Sequence, residues 1–403
     1  MGPPIVVAAY ERPTSLLRLL HSLAAARVPE GTRLIISIDH SEDAAESVRS
    51  AADGFSWPYG EKDIVEHSQR LGLKEHILRC GDLSQTYGAV IVLEDDLFVS
   101  PEFYQYALAA ITVFQNDARI GGISLYSHRF NETAQLGFCP IEDGADCYFM
   151  QIASSWGQCW TSAQWLAFRN WYDHSHQDSL DRDYLPSDVL GWPDTSWKKH
   201  FIRYLVASDR YFVYPRSSLT TNFMERGVHH AGSQTYLQVP LLMAPKEYQF
   251  VPLESSLAVY DSHCEILPAN LKKMDPVLAE YEFEVDLYGR KDLTRIQAPY
   301  MLTARRTHAA EMRFGLLLKP HELNVVRRIA GTELSLARKE DCEPAVSAAK
   351  LKQVSFYYAL PERFIAGPQQ ALAKAVSRLK ALEARPKAQF SLRTLARRLW
   401  DAL

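Results

Sequence analysis

Apolar positions along this chain come in two rhythms. Uninterrupted, largely β-branched runs occur at Ile5–Ala9 (IVVAA), residues 33–38 (RLIISI) and residues 89–93 (AVIVL). Such runs suit strands buried on both faces of a parallel sheet. Between them, leucines at 16, 17, 19, 20 and 23 recur at helical spacing, and Pro13 with Thr14 opens a helix over residues 15–26. Weaker helical patterns cover 44–52 and 73–83, with a short strand at 63–66 between them. This β-α-β-α-β-α-β alternation predicts a parallel sheet with right-handed crossovers. Further along, the pattern predicts a helix at 101–115, strands at Ile120–Ser124, 147–153 and 211–214, and a helix at 195–207.

Beyond Val239 the texture changes. Prolines at 240, 245, 252, 268 and 276 cut the chain into short pieces, with strands expected at 282–288, Tyr300–Thr303 and 314–318. The expected organisation is a larger α/β domain over 1–238, a smaller appended module over 239–358 and a helical tail over 359–403. The fold class is α/β: a Rossmann-like, mostly parallel sheet flanked by helices, followed by the module and the tail.

Where each strand ends decides the chemistry. The run at 89–93 stops at three consecutive carboxylates, Glu94, Asp95 and Asp96. A buried strand does not hold three uncompensated charges, so they project beyond its C-terminal end. That edge is where ligands sit in open α/β sheets. Carboxylates held together repel unless a cation joins them, and an oxygen-rich site suits Mn²⁺ or Mg²⁺; the plainer reading is a solvated acidic turn. The first two strands end beside the same edge, in Tyr10-Glu11-Arg12-Pro13 and Asp39-His40-Ser41, the natural place for a nucleotide. GxGxxG is absent after the first strand and no GxxxxGK[ST] occurs, so Asp39, Arg12 and other side chains would do the reading. Arg12 has an alternative role, stacking on Tyr10.

Six of the eight tryptophans fall between 156 and 197. They either pack a small core or, at Trp156 and Trp192 beside glycine-containing turns, form an aromatic floor for sugar rings. Asp194 precedes the 195–207 helix as a cap or as a functional acid. His229 and His230 lie in a loop where they serve as ligands only if a phosphate–metal site is adjacent.

Composition adds limits. The chain has 403 residues, is 47% hydrophobic and 23% charged, and carries a net −4, which is no signature of nucleic-acid binding. The six cysteines show no CxxC pair; reduced, mostly buried thiols are expected, although Cys139 and Cys147 could pair in an oxidising compartment. No export signal or membrane span is legible.

With these residues assembled, the chain resembles GT-A-fold glycosyltransferases and, more narrowly, is similar to the N-acetylglucosaminyltransferase I family. The resemblance covers about residues 4–232. It rests on Tyr10-Glu11-Arg12-Pro13, on Val92-Leu93-Glu94-Asp95-Asp96, and on Ser155-Trp156-Gly157 with Trp165. It continues through Trp192-Pro193-Asp194-Thr195-Ser196-Trp197, Pro215-Arg216 and Gly227-Val228-His229-His230. It implies a UDP-sugar donor, best guessed as UDP-N-acetylglucosamine, and an inverting, metal-dependent transfer to a saccharide or lipid-linked saccharide acceptor. Asp96 would bind Mn²⁺ (or Mg²⁺), Asp95 the ribose, Glu94 the transferred sugar and Asp39 the base. Tyr10, Arg12, Arg70, Trp156 and His230 complete the expected donor site, and Asp194 would be the catalytic base. The architecture implies bacterial surface-polysaccharide synthesis at the cytoplasmic face of the inner membrane. The alternatives are a non-catalytic nucleotide-sugar- or saccharide-binding protein on the same fold, and a nucleotidyltransferase, which the missing glycine-rich loop disfavours.

From Arg363 to Leu403 there are nine Lys/Arg and two acidic residues, a net of +7, so the preceding residues carry −11. Helices are expected at 369–384 and 392–403; in the second, Leu392, Leu395, Leu399, Trp400 and Leu403 gather opposite Arg393, Arg397 and Arg398. That pattern suits a helix lying on an anionic membrane, or one docking on the protein's own body or on a second subunit. Each basic residue near such a surface contributes about 1 kcal/mol. The full chain is therefore expected to sediment with anionic liposomes at low salt and release at high salt. Equal sedimentation by a chain truncated at 358 would favour internal docking or dimerisation.

Overall fold

A computed structural model describes residues 2–175, 184–223 and 237–344. The 359–403 tail, with both of its expected helices, and the loop containing His229 and His230 lie outside the described residues.

The first elements are β1 (Ile5–Ala9), α1 (Pro13–Ala24), β2 (Leu34–Ile38), α2 (Ala45–Gly54), β3 (Lys62–Glu66), α3 (Gly72–Asp82), α4 (Ser84–Tyr87) and β4 (Ala89–Glu94). Then come β5 (Leu97–Val99), α5 (Phe103–Phe114), β6 (Ile120–Ser124), β7 (Phe130–Asn131), β8 (Leu136–Gly137), β9 (Cys147–Met150) and β10 (Gln158–Thr161). After α6 (Ser162–Ser175), α7 (Ser187–Gly191) and α8 (Trp197–Ala207), the chain forms β11 (Tyr211–Pro215), β12 (Thr220–Asn222) and β13 (Val259–Tyr260). It continues with α9 (Pro268–Met274), β14 (Phe283–Asp286), β15 (Tyr300–Thr303), β16 (Met312–Phe314), α10 (Glu322–Val326) and β17 (Leu334–Arg338).

Nine strands make the central sheet, in the order β13-β9-β11-β6-β10-β4-β1-β2-β3. From β4 to β3 every pairing is parallel, as the alternating pattern predicts. On the other side of β4 the sheet is mixed: β10 runs antiparallel to both β4 and β6, and β9 antiparallel to β11. The continuous apolar runs have a simple cause. Ile5, Val7, Ala9, Ile91 and Leu93 face a core with α1, α2 and α5, while Val6, Ala8, Val90 and Val92 face a second core with α3, α6 and α8. Both faces are covered, so neither can be polar.

The tryptophans divide. Trp160, Trp165 and Trp197 are fully buried and pack around Phe201 and Phe168, the core role. Trp156 and Trp192 are only partly buried. Residues 237–344 add β13 to the sheet edge and a separate four-stranded sheet, β14-β15-β17-β16. The strand expected at 314–318 instead occupies Met312–Phe314, ending where the chain turns through Gly315. All six cysteines are free, so Cys139 and Cys147 do not pair. Among the described residues no helix is long and apolar enough to cross a membrane.

α3 is pinned closely to α6. A Cβ at Gly81 would collide with the ring of Trp165, whose Nε1 donates to Asp82 at 2.7 Å. Gly81→Ala is therefore expected to cost about 1–3 kcal/mol by overpacking. A chemical denaturation midpoint equal to that of the parent chain would show that the ring can yield.

Candidate functional site

The register of β1, β2 and β4 levels their C-terminal ends. Ala8 lies opposite Glu94 and Ala9 opposite Ile38. The ladder runs one step further, with Asp39 N donating to Ala9 O at 2.9 Å and Asp95 N to Ala8 O at 3.1 Å. Tyr10, Asp39 and Asp95 are thereby held side by side at the edge where the pattern places a ligand.

The cation that joins the carboxylates is the protein's own. Arg12 spans two of them, with Nη2 on Asp95 Oδ1 and Nη1 on Asp96 Oδ2 at 2.9 Å. This corrects the stacking alternative: it is Arg70 that lies over the Tyr10 ring, 4.5 Å from its centroid, and donates to its hydroxyl. Asp95 is turned inward, 2% exposed, with Oδ2 accepting from Tyr10 N at 3.3 Å. Burial pushes its carboxyl up to about 6 despite the guanidinium. Asp39 is buried as well. Its Oδ1 accepts from Leu71 N at 2.8 Å and from His40 N at 2.9 Å, and its Oδ2 from Gly72 N at 3.0 Å. It clamps the start of α3 to the end of β2.

Glu94 and Asp96 are different. Glu94 Oε1 and Asp96 Oδ1 are closed off from solvent, with no hydrogen-bond partner among the described residues. Burial, reinforced by Asp96 and Asp95, drives the Glu94 carboxyl well up. Unpartnered buried carboxylate oxygens are the donor set of a hard divalent cation. Among the described residues no three His, Cys, Asp or Glu side chains gather closely enough to hold a metal by themselves. The residues therefore fit a Mn²⁺ or Mg²⁺ that takes one or two carboxylate oxygens from the protein and the rest from phosphate and water.

Asp194 is tied to the start of α3. Lys74, in the first turn of α3, donates to its carbonyl oxygen at 2.9 Å, and the His200 Nε2 lies 2.9 Å from that same oxygen. The expected cap role is corrected, because α8 begins at Trp197 and Ser196 Oγ accepts from Lys199 N. Asp194 is exposed, and its Oδ1 receives the buried Lys199 Nζ at 2.9 Å, which holds the carboxyl below its usual range. Pattern reading missed Lys199 and Lys198; the signal was the Lys-Lys pair a helical turn after a tryptophan-flanked acid.

Trp156 and Trp192 share one cation, Lys198, whose Nζ lies 5.5 Å and 5.3 Å from their ring centroids. The turn beneath Trp156 needs glycine, since Gly157 has φ +94° and a Cβ there would sit 2.9 Å from Thr220 Cγ2. Of the sequence-derived candidates, the structure thus gathers Tyr10, Arg12, Asp39, Arg70, Glu94, Asp95 and Asp96 at one sheet edge, with Lys198 linking Trp156 to it and Lys74 tying the backbone of Asp194 to the first turn of α3. His230 falls outside the described residues.

No known family profile matches the chain, and no curated protein does. Solved structures do. Staphylococcus aureus TarS, residues 1–349, is similar at 12% identity over 55% of this chain and 60% of that one, with a TM-score of 0.35. The mannosyltransferase PcManGT from Pyrobaculum calidifontis, in complex with GDP-Man and Mn²⁺, is similar at 13% identity over 57% and 59%, TM-score 0.35. GalNAc-T7 with UDP, GalNAc and Mn²⁺ is similar at 12% identity over 54% and 43%, TM-score 0.36. The matched region spans about three fifths or less of each of these chains.

Removing Arg12 would leave two neighbouring carboxylates without their cation. Arg12→Met is expected to lower the unfolding free energy by about 3–5 kcal/mol. Adding Asp95→Asn should recover part of that loss, which a double-mutant cycle in urea would measure. Additive losses would show that the two side chains do not act as a pair.

Proposed function

We propose that the chain is a glycosyltransferase that moves a sugar, with N-acetylglucosamine as the first candidate, from a UDP-sugar to a hydroxyl of a saccharide or lipid-linked saccharide, inverting the anomeric configuration. The observation that carries the reading is the pair of unpartnered carboxylate oxygens, on Glu94 and Asp96, above the ends of three parallel strands. A sugar diphosphate would supply the oxygens that a partly coordinated cation lacks. Asp96 would hold a Mn²⁺ or Mg²⁺, whose charge would offset that of the departing diphosphate.

The protein's own residues do the rest. Tyr10 and Arg70 offer a ring and a guanidinium to the donor, and Asp39 shapes the pocket for the base by fixing residues 71 and 72. Arg12 holds Asp95 inward and leaves one oxygen of Asp96 free. In the transfer, the acceptor oxygen bonds to the anomeric carbon while the anomeric carbon–phosphate oxygen bond breaks. UDP leaves with that electron pair, and Asp194 takes the hydroxyl proton. Lys199 keeps Asp194 ionised, the form a base needs, but also weakens it as a proton acceptor. The proton is therefore expected to move late, once attack has acidified the hydroxyl.

The Lys199 contact also favours a second reading, a nucleotide-sugar-binding protein that does not turn over. Two variants separate them. Asp96→Asn should keep the fold and lose metal-dependent UDP-sugar binding, read by calorimetry with and without Mn²⁺. Asp194→Asn should keep the melting temperature and donor binding but lower kcat by a factor on the order of 10² to 10⁴. Normal turnover by Asp194→Asn would remove it as the base; donor binding with no turnover in the parent chain would favour the second reading.

A further inference from the structure

An open cleft lies beside the acidic edge, and no donor residue accounts for it. Its polar lining is His128, Glu132, Thr133, Asp188 and Lys198, and Trp192 forms one apolar wall. Lys198 joins it to the site, because the same ammonium that faces the cleft lies over Trp156 and acts electrostatically on Glu94.

One buried polar side chain of this lining waits for a partner. His128 is 4% exposed, and its Nε2 has no hydrogen-bond partner among the described residues. An unsatisfied buried donor or acceptor is costly, and native interiors rarely carry them without a ligand or water to complete the set.

The far wall is built to hold its shape. Ser262 and Cys264 line the cleft from a tight turn in which Asp261 Oδ1 accepts from His263 N at 2.8 Å and from Glu265 N at 2.9 Å. Asp261 is itself paired with the buried Lys291. Asn131 Nδ2 reaches across to His263 O at 3.1 Å, and Thr133 Oγ1 donates to Asp188 Oδ1 at 3.1 Å. A wall fixed in this way loses little freedom when a ligand enters.

We propose that this cleft seats an uncharged carbohydrate ring, the acceptor of the transfer. The proposal rests on the reading above for the word acceptor, and on the cleft alone for the word carbohydrate. Carboxylates and an imidazole accept and donate hydrogen bonds in the directions that ring hydroxyls offer, while an indole covers a CH face. Charge argues against a phosphate or another anion. Glu132 and Asp188 bring two negative charges against one from Lys198, which already lies 3.5 Å from Glu132. His128 adds none, since burial holds its pKa down at about 4. Pure hydrocarbon is disfavoured by the same polar lining.

The test is saturation-transfer NMR of the full chain with the methyl glycosides of glucose, galactose, mannose and N-acetylglucosamine, with and without UDP and Mn²⁺. At least one glycoside should respond. Asp188→Asn and Trp192→Leu should each reduce that response fivefold or more while the melting temperature holds. No response from the full chain to any of the four, or undiminished responses from both variants, would overturn the proposal. Glycoside binding in the cleft by a chain that binds no UDP would sustain it and remove the transferase reading, so the two stand or fall separately.

Discussion

Everything at the candidate site follows from the cost of ending a buried strand in three acids. Water cannot reach most of that edge, and carboxylates packed side by side raise one another's proton affinity. Arg12 settles part of the conflict by bridging Asp95 and Asp96. It does so incompletely, since one guanidinium cannot satisfy three carboxylates. The remainder stays as two oxygens without hydrogen-bond partners among the described residues, and that remainder is what makes the edge chemically interesting rather than merely acidic. A fully satisfied cluster would be structural; a cluster with no arginine would repel itself apart.

Much of this was legible in the sequence, for a definite reason. The strands at Ile5–Ala9 and Ala89–Glu94 are covered on both faces, so their apolar runs are continuous and their ends are marked sharply by Tyr10 and Glu94. The antiparallel strand Gln158–Thr161 was not legible. It is as deeply buried as its neighbours, yet it reads QCWT, because the buried amide of Gln158 occupies a position that periodicity expects to be apolar. Partner choice was equally hidden. Nothing in Tyr10-Glu11-Arg12 says that Arg12 turns inward to Asp95 while Arg70, sixty positions away, covers the tyrosine. The position of Asp194 was legible but not its surroundings, since Lys199 reaches it only because α8 starts at Trp197 rather than two residues earlier.

The second sheet has a part in this that its distance along the chain conceals. Its Lys291 is buried between Asp261 and Glu284, and Asp261 ties the turn that closes one side of the cleft. A lysine so enclosed is stable only while both carboxylates stay in place. The module past Val239 is thus tied to the geometry beside the acidic edge, and not merely appended to it.

One small clamp sets a distance. Asp39 fastens the first residues of α3 to the end of β2, and Lys74, two residues on from Gly72, holds the backbone of Asp194. A helix advances about 1.5 Å per residue. The interval between the end of β2 and the backbone of Asp194 is therefore gauged by a short stretch of rigid helix. A single residue gained or lost between Asp39's contacts and Lys74 resets it, so length variation across relatives of this chain should be forbidden there.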